Sequence, residues 1–171
     1  MNIKENFTQA FEASVSTNPM YAMFRILPVC EDLALPESML LFSCFEPQVI
    51  EVGATIYEAG EASQNVMYLL LEGEASVASP WHDTYVTLKP GDVFGLFSFL
   101  DEGRDHAATV CATTQLKVLT ISRPYFDVIT LEDPALGNQV LRFMFRLLSR
   151  MSLKLESEYA AIHHYATGRR I

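Results

Sequence analysis

Cysteine is scarce in this chain, and so is positive charge. The three thiols, Cys30, Cys44 and Cys111, are odd in number and form no CxxC pair. That argues against a disulfide framework and fits buried thiols in a reducing cytoplasm. Lys and Arg total 12 against 21 Asp and Glu, a formal net charge of −9. A surface of that sign is a poor match for a nucleic-acid backbone. No apolar run approaches the roughly 18 residues needed to span a bilayer, and the first residues contain no apolar signal core.

What is present is a large apolar fraction, 50%, enough for one substantial core with helical extensions. Ile3, Phe7, Phe11 and Val15 recur every four residues and predict an opening helix. Asn18-Pro19 caps a second helix carrying Met20, Phe24 and Leu27, and a third is expected from Pro36 with Leu40, Leu41 and Phe45. The character changes at Pro47. From there to about residue 121, glycines at 53, 60, 73, 91, 95 and 103 punctuate short β-branched or aromatic runs. These include Val49–Val52, Thr55–Tyr57, Val66–Leu71, Ala75–Val77, Tyr85–Leu88, Ala107–Cys111 and Leu116–Ile121. Short strands with frequent turn signals predict a sandwich or barrel. Helix returns after Ser122, and Asp133-Pro134 opens a last long helix reaching about residue 164. The expected layout is therefore a helical segment over 1–46, a β domain over 47–121 and C-terminal helices over 122–171.

Several pieces in this order resemble the cyclic-nucleotide-binding domain. They are Gly53 with Ala54-Thr55-Ile56, then Glu58-Ala59-Gly60; Tyr68-Leu69-Leu70-Leu71-Glu72-Gly73-Glu74; Pro90-Gly91-Asp92-Val93-Phe94-Gly95; and Ala107-Ala108-Thr109-Val110. The resemblance covers roughly residues 25–160. The spacing inside the cassette-like segment, 91–110, looks most like bacterial catabolite-activator-type regulators. It implies a mainly β fold: a jelly-roll-like β-roll with short N-terminal helices and a long C-terminal helix. Gly53, Gly60 and Gly73 allow strand reversals, and Gly95 allows the backbone to approach a phosphate at the start of a short helix.

The resemblance also assigns a pocket, built from Phe94, Gly95, Leu96, Phe97, Arg104, His106, Ala107 and Ser152. Two positions depart from the family's pattern. The glutamate that follows Phe-Gly in the family and accepts the ribose hydroxyl is Leu96 here. The arginine that pairs with the cyclic phosphate is His106, and the small hydroxyl after it is Ala107. Losing a two-bond guanidinium contact and a carboxylate acceptor amounts to roughly 3–6 kcal/mol, or about 10²–10⁴ in affinity. Asp101, Glu102 and Asp105 repel a phosphate further, whereas Arg104 is placed to substitute for the missing arginine. Against this reading, acidic neighbours raise the pKa of His106 and charge it. The expectation is no cofactor, no tight cyclic AMP or cyclic GMP binding, and a roll left empty or filled by Leu96, Phe97 and Phe99.

In the last helix, Leu141, Met144, Leu148, Met151, Leu155 and Ile162 form a seam of 3–4 spacing, expected to pair two copies. Activator-type relatives dimerise through this helix. Arg142, Arg146, Arg150 and Lys154 form a basic stripe read as a solvated face. Residues 139–171 hold six basic and two acidic side chains, against six and nineteen before them. A helix-turn-helix domain follows in the activator family; none is expected within these residues, which read as either a stand-alone module or a fragment. The histidines are His82, His106, His163 and His164. No HxH pair exists for a cupin-type metal, and no nucleophile signature is found. The chain reads as a non-enzymatic, homodimeric regulatory module. The alternatives are a sensor of altered ligand specificity, or the sensor half of a transcription regulator lacking its DNA-binding domain. Neither nucleic acid nor membrane is an expected partner.

Overall fold

The computed structural model describes residues 3–167, with the side chains of 3–8, 82–85 and 166–167 outside the description. Ile3, Phe7 and Tyr85, named above, have side chains among these. The chain opens with α1 (Ile3–Ser16), α2 (Pro19–Arg25), a 3₁₀ turn (Pro28–Cys30) and α3 (Leu35–Ser43). The Asn18 side chain accepts from the Met20 N–H, as a cap should. Val15, Phe24, Leu27 and Leu41 are buried, whereas Leu40 faces outward and Phe45 is buried just past α3.

Eight strands follow: β1 (Glu46–Ile50), β2 (Thr55–Tyr57), β3 (Val66–Glu72), β4 (Ala75–Ser79), β5 (His82–Leu88), β6 (Val93–Phe94), β7 (Thr109–Ala112) and β8 (Leu116–Ser122). They make two antiparallel four-stranded sheets, ordered β1-β8-β3-β6 and β2-β7-β4-β5. This is the jelly-roll-like β-roll. The short α4 (Leu96–Leu100) lies between β6 and β7, and α5 (Arg123–Glu132) and α6 (Pro134–Thr167) close the chain. No described helix is long and apolar enough to cross a membrane.

Strand β3 explains why there are two cores. Its side chains alternate, as a strand requires. Met67, Leu69 and Leu71 join the cluster under the helices with Phe24, Phe42, Phe99 and Phe143. Leu70 points the other way, into the roll, with Leu116, Val118 and Phe94. A strand buried on both faces reads as a continuous apolar run. Gly73 makes the β3–β4 reversal at φ 95°, and a Cβ there would collide with the Gln115 carbonyl.

Candidate functional site

The core of the roll is incomplete. Beside its packed residues lies a cavity of about 290 Å³, open at one side. Its lining includes one cross-strand row: Tyr57 is in register with Val110, Val110 with Val77, and Val77 with Val86. Leu88, Val93, Phe94, Leu96, Phe97 and Met151 complete the apolar surface, and Ser98, Arg104, Asp105 and His106 supply the polar side chains.

The family-derived pocket residues come together here with one exception. Phe94, Gly95, Leu96, Phe97, Arg104, His106 and Ala107 all line the cavity. Ser152 does not: it is exposed on α6, and Met151, one residue back, takes the wall. Successive helix residues differ by about 100° in direction, so a one-residue shift exchanges cavity for solvent. Leu96 is 2% exposed and belongs to the helix-side core as well. Phe97 is 55% exposed at the rim, and Phe99 packs edge-on against Phe126 away from the cavity. These side chains therefore do not fill the roll.

Gly95 adopts φ 71° as the N-cap of α4. Its bareness has a local cause beyond ligand approach. A Cβ there would run into the Val66 carbonyl and the Tyr68 ring. Strand β3 alone thus excludes a side chain at this position.

His106 is held from several directions. Its backbone N–H donates to Glu61 O at 2.9 Å and its carbonyl accepts from Gly60 N at 2.7 Å. Its ring stacks on Tyr57 with centroids 3.8 Å apart and planes 8° from parallel. Phe94 stacks likewise on Tyr68, at 4.8 Å. Burial lowers the His106 pKa, while Glu61 and Asp105 pull the other way. The expectation that acidic neighbours charge the imidazole is corrected: desolvation outweighs them. Arg104, the substitute candidate, is exposed with its Nε 3.5 Å from Asp101.

The seam on α6 divides. Met144 is 2% exposed and belongs to the core of its own chain, and Leu141, Leu148 and Met151 pack against that core from its edge. Leu155 and Ile162 are exposed, as are Phe145, Leu153 and Tyr159. The basic stripe is exposed at all four positions, and two of its members also reach the body of the chain. Lys154 Nζ lies 3.0 Å from Asp92 and Arg150 donates to the Pro28 carbonyl at 3.3 Å. Burial pushes the Cys30 thiol up to about 12 and the Cys44 thiol to about 11, so both stay protonated.

Sequence reasoning missed most of the apolar lining: Tyr57, Val77, Val86, Leu88, Val93, Val110 and Met151. The row that Tyr57, Val110, Val77 and Val86 share is set by pairing between strands distant in sequence, which no local pattern displays.

A family model described as cyclic nucleotide-binding domain matches residues 47–133. The chain is 37% identical over 102 residues to a cAMP-dependent protein kinase regulatory subunit of Yarrowia lipolytica, covering 59% of this chain and 27% of the relative. It is 26% identical over 133 residues to the cyclic AMP receptor protein of Thermus thermophilus, covering 75% and 61%. The crystal structure of a cyclic nucleotide-binding domain from Methylobacillus flagellatus superposes with TM-score 0.67 at 21% identity, covering 95% of this chain and 88% of that one. This likeness concerns the fold. The chain spans about a quarter of the length of the kinase regulatory subunits it matches.

Proposed function

Because the chain belongs to the cyclic nucleotide-binding domain family, whose match covers residues 47–133, we propose that it is a non-catalytic regulatory module with a pocket unsuited to tight cyclic-nucleotide capture. The observation that carries this reading is the pair of residues facing the cavity where the family's pattern has charges. Leu96 is a buried hydrocarbon, and burial favours the neutral form of His106. A phosphodiester anion entering this cavity gives up its hydration, and the cation of the described lining, Arg104, is exposed and shared with Asp101. Kinase regulatory subunits and a cyclic AMP receptor protein among the relatives support a signalling role rather than catalysis.

The module works as a homodimer through α6 in the cytoplasm. Every residue from Ser152 to Tyr165 is exposed. A helix of that length is marginal in water without packing. Leu141, Phe145, Leu148, Ser152, Leu155, Tyr159 and Ile162 alternate at spacings of four and three along this helix, the a/d pattern of a two-stranded coiled coil. Phe145, Ser152 and Tyr159 replace Met144 and Met151 of the earlier seam, because Met144 is buried and Met151 lines the cavity, whereas Leu141 and Leu148 sit at the edge of the core.

Isothermal calorimetry at pH 7.5 with cyclic AMP, cyclic GMP and cyclic di-GMP tests the pocket. The expected result is no saturable binding tighter than about 100 µM. A micromolar dissociation constant for any of the three overturns the reading.

A further inference from the structure

We infer that the cavity of the roll is a binding site for an uncharged aromatic compound of one to two rings, carrying one hydrogen-bonding group that meets His106. The inference rests on the reading above that a cyclic nucleotide is not the occupant.

Size comes first. An apolar cavity of roughly 150 Å³ suffices for benzene, and dry cavities of that kind stay open to such guests. This one is about 290 Å³, near the lower end of ligand pockets, about 300 Å³. Chemistry comes second. The row Tyr57, Val110, Val77 and Val86 lines one wall, and the rings of Phe94 and Phe97 with Leu96 and Met151 line others. Such surfaces suit a flat apolar body, and methionine adapts to its outline.

The polar groups then decide the charge. The Ser98 hydroxyl is already used, donating to the Gly95 carbonyl at 3.1 Å. Arg104 and Asp105 are exposed, with opposite charges, and Arg104 is engaged by Asp101. Any ion moved inside loses hydration against hydrocarbon. Tyr57 and His106 are the half-buried polar side chains of the described lining, and of the two His106 presents an imidazole. Its ring is fixed in place by the Tyr57 stack. A neutral imidazole offers one donor and one acceptor, which matches a single hydroxyl or ring N–H.

The test uses the full chain with the uncharged two-ring fluorophore prodan, a naphthalene bearing one hydrogen-bonding carbonyl, and indole as competitor. Binding should appear as a blue-shifted rise in probe emission, with a dissociation constant on the order of 10 µM. It should change little between low and high salt, since no charge is matched. Trp81 sits 87% exposed on the β4–β5 turn, so the probe's own emission is the readout. Val77→Trp, and Val86→Phe in case the first disturbs folding, fill the cavity and should weaken binding about tenfold or more. Leu131→Glu, on the exposed face of α5, should leave it unchanged. No emission rise at probe saturation overturns the inference. Binding that survives both filled variants or disappears in Leu131→Glu also overturns it, because the probe then sits on the surface. A parallel cyclic AMP titration separates the two ideas: micromolar cyclic AMP binding defeats the proposed function, whereas absent probe binding with absent cyclic AMP binding defeats this inference alone.

Discussion

At the scale of the residue, His106 sets the pH behaviour. Its pKa in the fold lies below the ordinary value near 6.5 because burial favours the neutral ring, with Glu61 and Asp105 opposing. In the unfolded chain it binds a proton more readily, so stability from this group is present above about pH 6.5 and lost as pH falls through the folded value. The same titration bears on ligands. Below that value the imidazolium can face a phosphate with a charge-assisted bond. We predict that cyclic AMP affinity, weak at pH 7.5, rises roughly tenfold at acid pH, about the worth of one such bond. The rise should be absent from His106→Gln. Calorimetry of both proteins at two pH values checks this, and equal gains in the variant would show that another group is responsible. Proximity in sequence to Asp105 favours a charged His106. Its position against Tyr57, fixed by contacts with residues 57–61, reverses that, and no local pattern announces such a contact.

Among the elements, α5 and α6 pack closely enough to dictate a residue. Gly137 lies buried in the first turn of α6, and its N–H donates to the Asp133 carbonyl at 2.9 Å. A Cβ there falls 2.8 Å from the Thr130 Cα. Replacing a helical glycine by alanine ordinarily stabilises by about 1 kcal/mol. Here the neighbour is backbone, which cannot swing aside, and Thr130 is itself tied to the Phe126 carbonyl at 2.9 Å. Overpacking of this kind typically destabilises by about 1–3 kcal/mol. Gly137→Ala should therefore lower the urea midpoint without changing the slope, and a raised midpoint would mean that the helices do not cross this closely. The sequence shows a glycine in a helical stretch but not which surface comes to meet it. Gly95 is similar: the turn was legible, while its contact with Val66 and Tyr68 needed the third dimension.

For the whole molecule, order and spacing carried most of the architecture. The glycine turns between apolar runs marked the roll, and the Phe94-Gly95 step with its short apolar helix marked the cavity's edge. What stayed hidden depends on pairing across long separations, such as the Tyr57–Val110–Val77–Val86 row. The α6 seam was hidden for a different reason. That helix is apolar on more than one side, so periodicity alone does not tell the face turned to its own roll from the face left exposed. Burial separates them: Val140, Phe143, Met144 and Leu147 turn inward, and Phe145, Leu155, Tyr159 and Ile162 turn out. The division has a thermodynamic consequence. A partner that binds only the folded chain makes the melting temperature depend on concentration. We predict a melting temperature that climbs with protein concentration, and a dimer mass by light scattering. Leu155→Glu and Tyr159→Glu change side chains already in water, so each monomer should fold as before while mass halves and the concentration dependence vanishes. Met144→Glu places a carboxylate in the core of the same chain and should unfold it at every concentration. If both exposed-face variants keep the dimer mass and the concentration dependence, the copies meet through another surface and the heptad on α6 has a different partner.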